Sequence, residues 1–307
     1  MKRSASHAGT WYSKDSKTLS DMLDKWLYEA AMDGTGPKSK GPIRAVIAPH
    51  AGLSYSGKTA AFAYAGVDPD AVSRVFVLGP SHHVYLDGCA LSRCSVYETP
   101  LGDMNVDAAS VALLKATGLF GDMDLAVDEE EHSIEMHLPF IHKVMARKTN
   151  GPFQIVPILV GSLSPAKQAL YGRILAPYLA ASDSLFVVSS DFCHWGSRFR
   201  YTPHDPQTPI FKHIEDLDRT GMDLIENLDV GGFTKYLQTT GNTICGRHPI
   251  SLLLQTMAAI DMRKSSEILA SDRSSFSIQF VRYAQSGQCL IPTDSSVSYA
   301  SAICCMR

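Results

Sequence analysis

Three apolar runs set what this chain can fold into. Residues 43–48 (Ile-Arg-Ala-Val-Ile-Ala), 74–78 (Arg-Val-Phe-Val-Leu) and 185–189 (Leu-Phe-Val-Val-Ser) are short and β-branched, with apolar residues on both alternating faces. Such runs read as strands buried on both sides, which helices must cover. Helical periodicity lies between them, over 57–64, 106–117, 132–145 and 165–179, and again over 210–228 and 249–262. An amphipathic helix over 16–31 precedes them, with Leu19, Met22, Leu23, Trp26 and Leu27 on one face. Further strands are expected at 153–160, at 276–283 and at 297–304. Pro157 marks 153–160 as an edge strand or a bulge. Strands alternating with helices define an α/β fold with a mostly parallel central sheet flanked by helices. A Gly-, Pro- and Lys-rich loop is expected over 33–42, and no linker follows it, so residues 1–307 read as a single domain.

Composition removes other classes. The chain has 307 residues, and Lys+Arg 28 against Asp+Glu 31 gives a net charge of −3, with no general attraction to nucleic acid or anionic lipid. No apolar run approaches the roughly 20 residues that span a bilayer, so no membrane insertion is expected. The basic start, Met1 to His7, has no apolar stretch behind it and does not read as a secretory signal. Seven widely spaced cysteines, an odd number, fit reduced thiols in the cytosol or nucleus rather than a disulfide framework.

The polar residues fall where the strands end. Residues 43–48 lead into Pro49-His50-Ala51-Gly52, residues 74–78 into Gly79-Pro80-Ser81-His82-His83, and residues 185–189 into Ser190-Asp191-Phe192-Cys193-His194-Trp195. Ligands of open α/β sheets bind outside the carboxyl ends of the strands. Parallel neighbours would therefore bring His50, His82 or His83, Asp191 and His194 to one mouth. Cys245 precedes a helix start marked by Pro249, where the helix dipole favours thiolate. Two imidazoles and one anion on separate loops make a metal site with open positions. Asp191 and Cys245 compete for the anionic role, and the spacing does not separate them. His194 is placed to act as an acid or base.

Other patterns are weaker. Gly52 to Thr59 matches the phosphate-loop pattern, but Pro49-His50-Ala51 intervenes between strand and loop, and Leu53 and Tyr55 are bulky where backbone must approach phosphate. Asp128 to Glu131 fit the first turn of a helix. His132 and Glu135, one turn apart, are placed to support the site. Cys304 and Cys305 point to opposite faces of a strand. Arg198, Arg200 and Arg247 are cations near the mouth, available to a carboxylate or phosphate or to salt bridges. No Gly-x-Ser-x-Gly elbow is present, which disfavours a serine hydrolase.

Six segments together resemble the Memo family, mediators of receptor-driven cell motility. They are Ser6 to Tyr12, Ala48 to Gly52, Leu78 to His83, Glu131 to Pro139, Ser189 to Gly196 and Asn242 to Pro249, and the likeness runs nearly end to end. The resemblance implies a fold like the catalytic subunit of extradiol, ring-cleaving non-haem iron dioxygenases. It implies one copper or iron ion at His50, His82 and Cys245, with His194 at the dioxygenase acid/base position and Asp191 assisting. His83, His132, Glu135, Arg198 and Arg247 would support the ligands or hold a bound molecule. Those dioxygenases carry a carboxylate where Cys245 stands, and a thiolate favours copper(I) or redox cycling. Redox or metal handling linked to motility signalling is the implied role. The alternatives are a metal-dependent oxygenase acting on an aromatic small molecule and an adaptor for a phosphorylated receptor-tail peptide or signalling protein.

Overall fold

The computed structural model describes residues 1–34, 41–267 and 274–307, without the side chains of 264–267. Residues 35–40 of the expected loop lie outside the described residues. Nine strands form one sheet: β1 (Ile43–Ala48), β2 (Arg74–Pro80), β3 (Cys89–Ser92), β4 (Phe120–Met123), β5 (Gln154–Val160), β6 (Ser184–Ser189), β7 (His194–Trp195), β8 (Phe276–Gln285) and β9 (Ser296–Met306). Their order is β7-β9-β1-β6-β2-β5-β3-β4, and β8 pairs with β9. The four central strands β1, β6, β2 and β5 are parallel. Antiparallel pairing enters on both sides, β9 on β1 and β3 on β5. Among the described residues the α-helices are α1 (Ser16–Met32), α2 (Leu53–Tyr64), α3 (Ala108–Ala116), α4 (Leu125–Glu130), α5 (His132–Glu135), α6 (Leu138–Met145), α7 (Pro165–Ala180), α8 (Ile210–Glu226), α9 (Val230–Thr240) and α10 (Arg247–Glu267).

Strand alternation explains why these runs are apolar throughout. Ala45, Ile47, Phe76, Leu78, Phe186 and Val188 enter one core with Leu175 and Leu179 of α7 and Leu252 and Leu253 of α10. The residues between them, Val46, Ala48, Val75, Val77, Leu185 and Val187, enter a second core. There they meet Leu19, Leu23 and Trp26 of α1, Tyr64 of α2 and Phe140 of α6. Burying each large side chain contributes roughly 1.5–3 kcal/mol, so a polar residue on either face would be costly. Cys304 and Cys305 divide between two clusters, as alternation requires.

Three expectations change. Pro157 lies in β5, an interior strand, paired with Val77. It is tolerated because the neighbour on that strand's other side changes there: Val106 bridges to Ile155, and β3 begins pairing at Ile158. The helix expected over 132–145 divides into α5 and α6, because Pro139 has no N–H to donate to the Glu135 carbonyl. Helix α9 was not expected, since Gly231 and Gly232 dilute its periodicity. The phosphate-loop pattern is accounted for as well. Helix α2 begins at Leu53, so Leu53 to Thr59 is α-helix rather than a loop and Lys58 faces solvent. All seven cysteines are free thiols. Among the described residues no helix is long and apolar enough to cross a membrane.

Candidate metal centre

The parallel register carries the site. Ala48 pairs with Ser189 at the ends of β1 and β6, so His50 and Asp191 both stand two residues beyond that pair. The backbone N–H groups of His50 and Ala51 donate to Asp191 Oδ1 at 2.9 and 3.3 Å, fixing the turn after β1. The Ser189 hydroxyl donates to the Ser133 carbonyl at 2.8 Å. Its oxygen therefore accepts from His50 Nδ1, which must carry the hydrogen. His50 Nε2 is then an acceptor and faces Cys245 Sγ at 3.1 Å. The backbone N–H of Asp191 donates to the same sulfur at 3.2 Å.

His82, beyond β2, is oriented by a carboxylate. Glu131 accepts from the His82 backbone N–H at 2.7 Å, from its Nδ1 at 2.8 Å and from the Ser133 N–H at 2.9 Å. A carboxylate only accepts, so His82 Nδ1 carries a hydrogen and Nε2 is the ring nitrogen that Glu131 does not hold. His132, at the start of α5, stacks on His82 with ring centroids 4.5 Å apart and planes 6° from parallel. Trp11 stacks on His132 at 4.3 Å. One nitrogen from each of His50, His82 and His132 lies within 4.8 Å of the others. Ser81, His82, His83, Tyr85, Cys245 and Arg247 border a cleft of about 320 Å³ here.

The electrostatics favour neutral rings at His50 and His132. Burial, with the neighbouring imidazoles, holds His50 well below the usual histidine range. Burial and the His82 charge bring His132 down to about 3. Burial raises Glu131, but the His82 and Ser133 bonds outweigh it and bring it to about 2. Burial and the nearby Asp191 charge push the Cys245 thiol up, so a metal would have to displace its proton. Burial lifts Asp191 to about 7 against its two backbone donors.

The donor set fits an ion. Two imidazoles have one nitrogen anchored and the other free, a carboxylate backs one of them, and a thiol lies against the other. His50 and Cys245 are in contact. His132 joins His50 and His82 as a nitrogen donor, a closer placement than a supporting role requires. His194 is mostly buried, and its Nδ1 meets the Phe192 and Thr243 carbonyls at 2.9 and 3.2 Å. Burial lowers its pKa. His83 stands at the lip, with Nδ1 3.5 Å from Glu130. Glu135 points away from the cluster and binds Arg3, His7 and Tyr12. Arg198 is exposed over the Phe199 ring at 4.4 Å, and Arg247 donates to the Ile244 carbonyl at 3.2 Å. Among the described residues neither arginine has a carboxylate within 4.0 Å.

Sequence reasoning missed Trp11 and Glu131. The acidic run marked Glu131 only as a helix-start residue, which it also is, capping α5. Its companion Asp128 is likewise buried, bound to Arg3 and Tyr97 rather than facing solvent.

Fold and centre together define an α/β protein with an imidazole cluster and an adjacent thiol at the carboxyl ends of parallel strands. The chain belongs to the Memo family, whose model, described as Memo-like protein, matches residues 3–303. Protein MEMO1 of Xenopus laevis is 50% identical over 300 residues, covering 97% of this chain and 96% of that protein. Protein MEMO1 of Homo sapiens is 48% identical with the same coverage. Protein memo-1 homolog of Caenorhabditis elegans is 48% identical over 303 residues, covering 98% of this chain and 82% of that protein. A looser likeness is to the crystal structure of uncharacterized protein JW3007 from Escherichia coli K12, with a TM-score of 0.45 and 13% identity over 83% of this chain and 98% of that one.

Proposed function

We propose that the protein binds one copper or iron ion per chain and serves redox or metal handling in motility signalling, in the cytosol or nucleus. His50 and His82 are the fixed donors, and Cys245 and His132 complete the set. The reading is carried by one observation: Ser189 and Glu131 each hold the Nδ1 of a histidine, and a nitrogen of each of those rings lies within 4.8 Å of the other and of one on His132. A copper or iron ion held there would supply electron transfer and Lewis acidity. The chain's own part is to hold neutral imidazoles, to exclude bulk water around the buried His50, and to keep the His194 Nδ1 proton on backbone carbonyls.

Elemental analysis of anaerobically purified protein tests this. About one copper or iron per chain is expected, lost in His82→Ala and in Cys245→Ser. Protein that stays metal-free under reducing conditions with excess Cu(I) and Fe(II) would overturn the reading.

Arg247 at the lip of the cleft, with no carboxylate within 4.0 Å among the described residues, favours a second reading, docking of a phosphorylated receptor-tail peptide, with exposed Arg198 a further cation. Titration with phosphorylated and unphosphorylated peptides decides it, and equal affinities remove it.

A further inference from the structure

The cleft of about 320 Å³ beside the candidate centre has a larger neighbour, a cavity of about 500 Å³ between the start of α7, α9 and the first turn of α10. The same two chain segments wall both. Gly161, Ser162 and Cys245 border the cleft, and Leu163, Pro165, Thr243 and Ser251 border the cavity. Arg247 and His248 border both, so these two side chains divide one trough into two chambers. Each chamber falls in the size range of small-molecule sites. Leu163, Pro165 and Leu237 give the larger one an apolar wall, and among the described residues no carboxylate lines either.

Both dividing side chains offer donors. The Leu163 backbone N–H donates to His248 Nδ1 at 3.3 Å. Burial and the Arg247 charge bring His248 down to about 4, so its ring is neutral at physiological pH. A neutral imidazole that accepts at Nδ1 carries its hydrogen on Nε2. That N–H has no acceptor among the described residues. His248 is half-buried, and its Nε2 is not one of the enclosed, unpartnered atoms of the molecule, so the N–H is open to a ligand. Arg247 is exposed, and its guanidinium donates to the Ile244 carbonyl at 3.2 Å, which leaves most of its N–H groups unused. The two residues are consecutive, and the effect of the Arg247 charge on the His248 ring places the two groups close together.

We propose that Arg247 and His248 form the anion-reading partition of a small-molecule site, and that the trough takes a monocarboxylate whose apolar body lies along Leu163, Pro165 and Leu237. The charge balance selects the carboxylate. Arg247 supplies one positive charge and His248 one neutral N–H, which match one negative charge spread over two accepting oxygens. A doubly charged phosphate would bring a second charge with no second cation at the partition to meet it. The proposal stands apart from the metal reading, because neither the cluster histidines nor Cys245 takes part.

The probe is 4-phenylbutyrate, an apolar body ending in one carboxylate. Calorimetric titration of the full chain compares it with 4-phenylbutanol, which lacks the charge, and with 3-phenylpropylphosphonate, which adds a third oxygen and a second ionisation. The carboxylate should bind about tenfold tighter than the alcohol and at least as tightly as the phosphonate. His248→Phe keeps a ring but loses the N–H, and should weaken the acid about tenfold while leaving the alcohol nearly unchanged. His248→Gln restores an N–H donor and should recover most of that loss. Arg247→Gln should bring the acid down to the affinity of the alcohol. Thr234→Trp, on the α9 wall, should abolish binding of both. No 4-phenylbutyrate binding at millimolar concentration, equal affinity for acid and alcohol, tighter binding of the phosphonate, or an unchanged preference in His248→Phe would overturn the proposal. So would undiminished binding in a Thr234→Trp protein that melts like the parent, and if that variant does not fold, the His248 pair decides alone.

Discussion

His82 is oriented by Glu131, which holds its Nδ1 and its backbone N–H together and leaves Nε2 on the far edge of the ring. An isosteric Glu131→Gln keeps the volume but removes the anion, and its amide nitrogen cannot accept what one carboxylate oxygen accepts now. Loss of a carboxylate behind a ligating histidine typically costs 10–100-fold in metal affinity. Chelator competition on Glu131→Gln should show a weakening of roughly that size, and an unchanged dissociation constant would mean that Glu131 does not set the ligand. At this scale the sequence was partly legible. His50, His82 and Asp191 follow strand ends directly, so local pattern placed them. Glu131 and Trp11 reach the site through tertiary packing, and a capping acid looks the same on paper whether or not a histidine from another loop folds onto it.

The elements transmit position to that site through close contacts. Gly79, near the end of β2, has Ser133 and Ile134 of α5 against its Cα. A Cβ built there would stand 2.5 Å from Ser133 Oγ and 2.7 Å from Ile134 Cγ1. Helix α5 carries His132 and is capped by Glu131, so Gly79→Ala would displace His132 and Glu131 together. Overpacking of this kind costs typically 1–3 kcal/mol. Denaturant unfolding should show a loss of about that size, with metal affinity falling in parallel, and a variant as stable and as tightly loaded as the parent would show that α5 is not wedged. The same scale explains how far the sheet could be read. The parallel centre was legible because its strands are apolar on both faces. The short strands β3 and β4 were not, since four residues hold too few turns of alternation, and Asp122 and Gly121 in β4 face solvent.

Across the whole molecule, the first twelve residues are fastened to the segment that carries the centre. Arg3 is fully buried and bonds Asp128 Oδ1 at 2.9 Å and Glu135 Oε2 at 2.7 Å. Glu135 also accepts from His7 Nδ1 at 2.8 Å and from the Tyr12 hydroxyl at 2.6 Å. That clasp places Trp11 on His132, so the candidate centre depends on an ion network behind it. Burial pushes Glu135 up, but the His7 bond, the Arg3 charge and the Tyr12 bond outweigh it and hold it at about 2. A carboxylate held below its unfolded value stabilises the fold fully above about pH 4.5, and that contribution fades as pH falls toward 2. The contribution is on the order of 3 kcal/mol from the difference between 4.5 and about 2. Glu135→Gln mimics the protonated form and leaves Arg3 less well paired, so it should be markedly less stable than the parent at neutral pH. The gap between the two melting curves should then narrow as pH drops from 4.5 toward 2, because the parent becomes neutral at this position while the variant does not change. A gap that stays constant across that window would show that the carboxylate does not titrate with folding, and that the N-terminal clasp is held by packing alone.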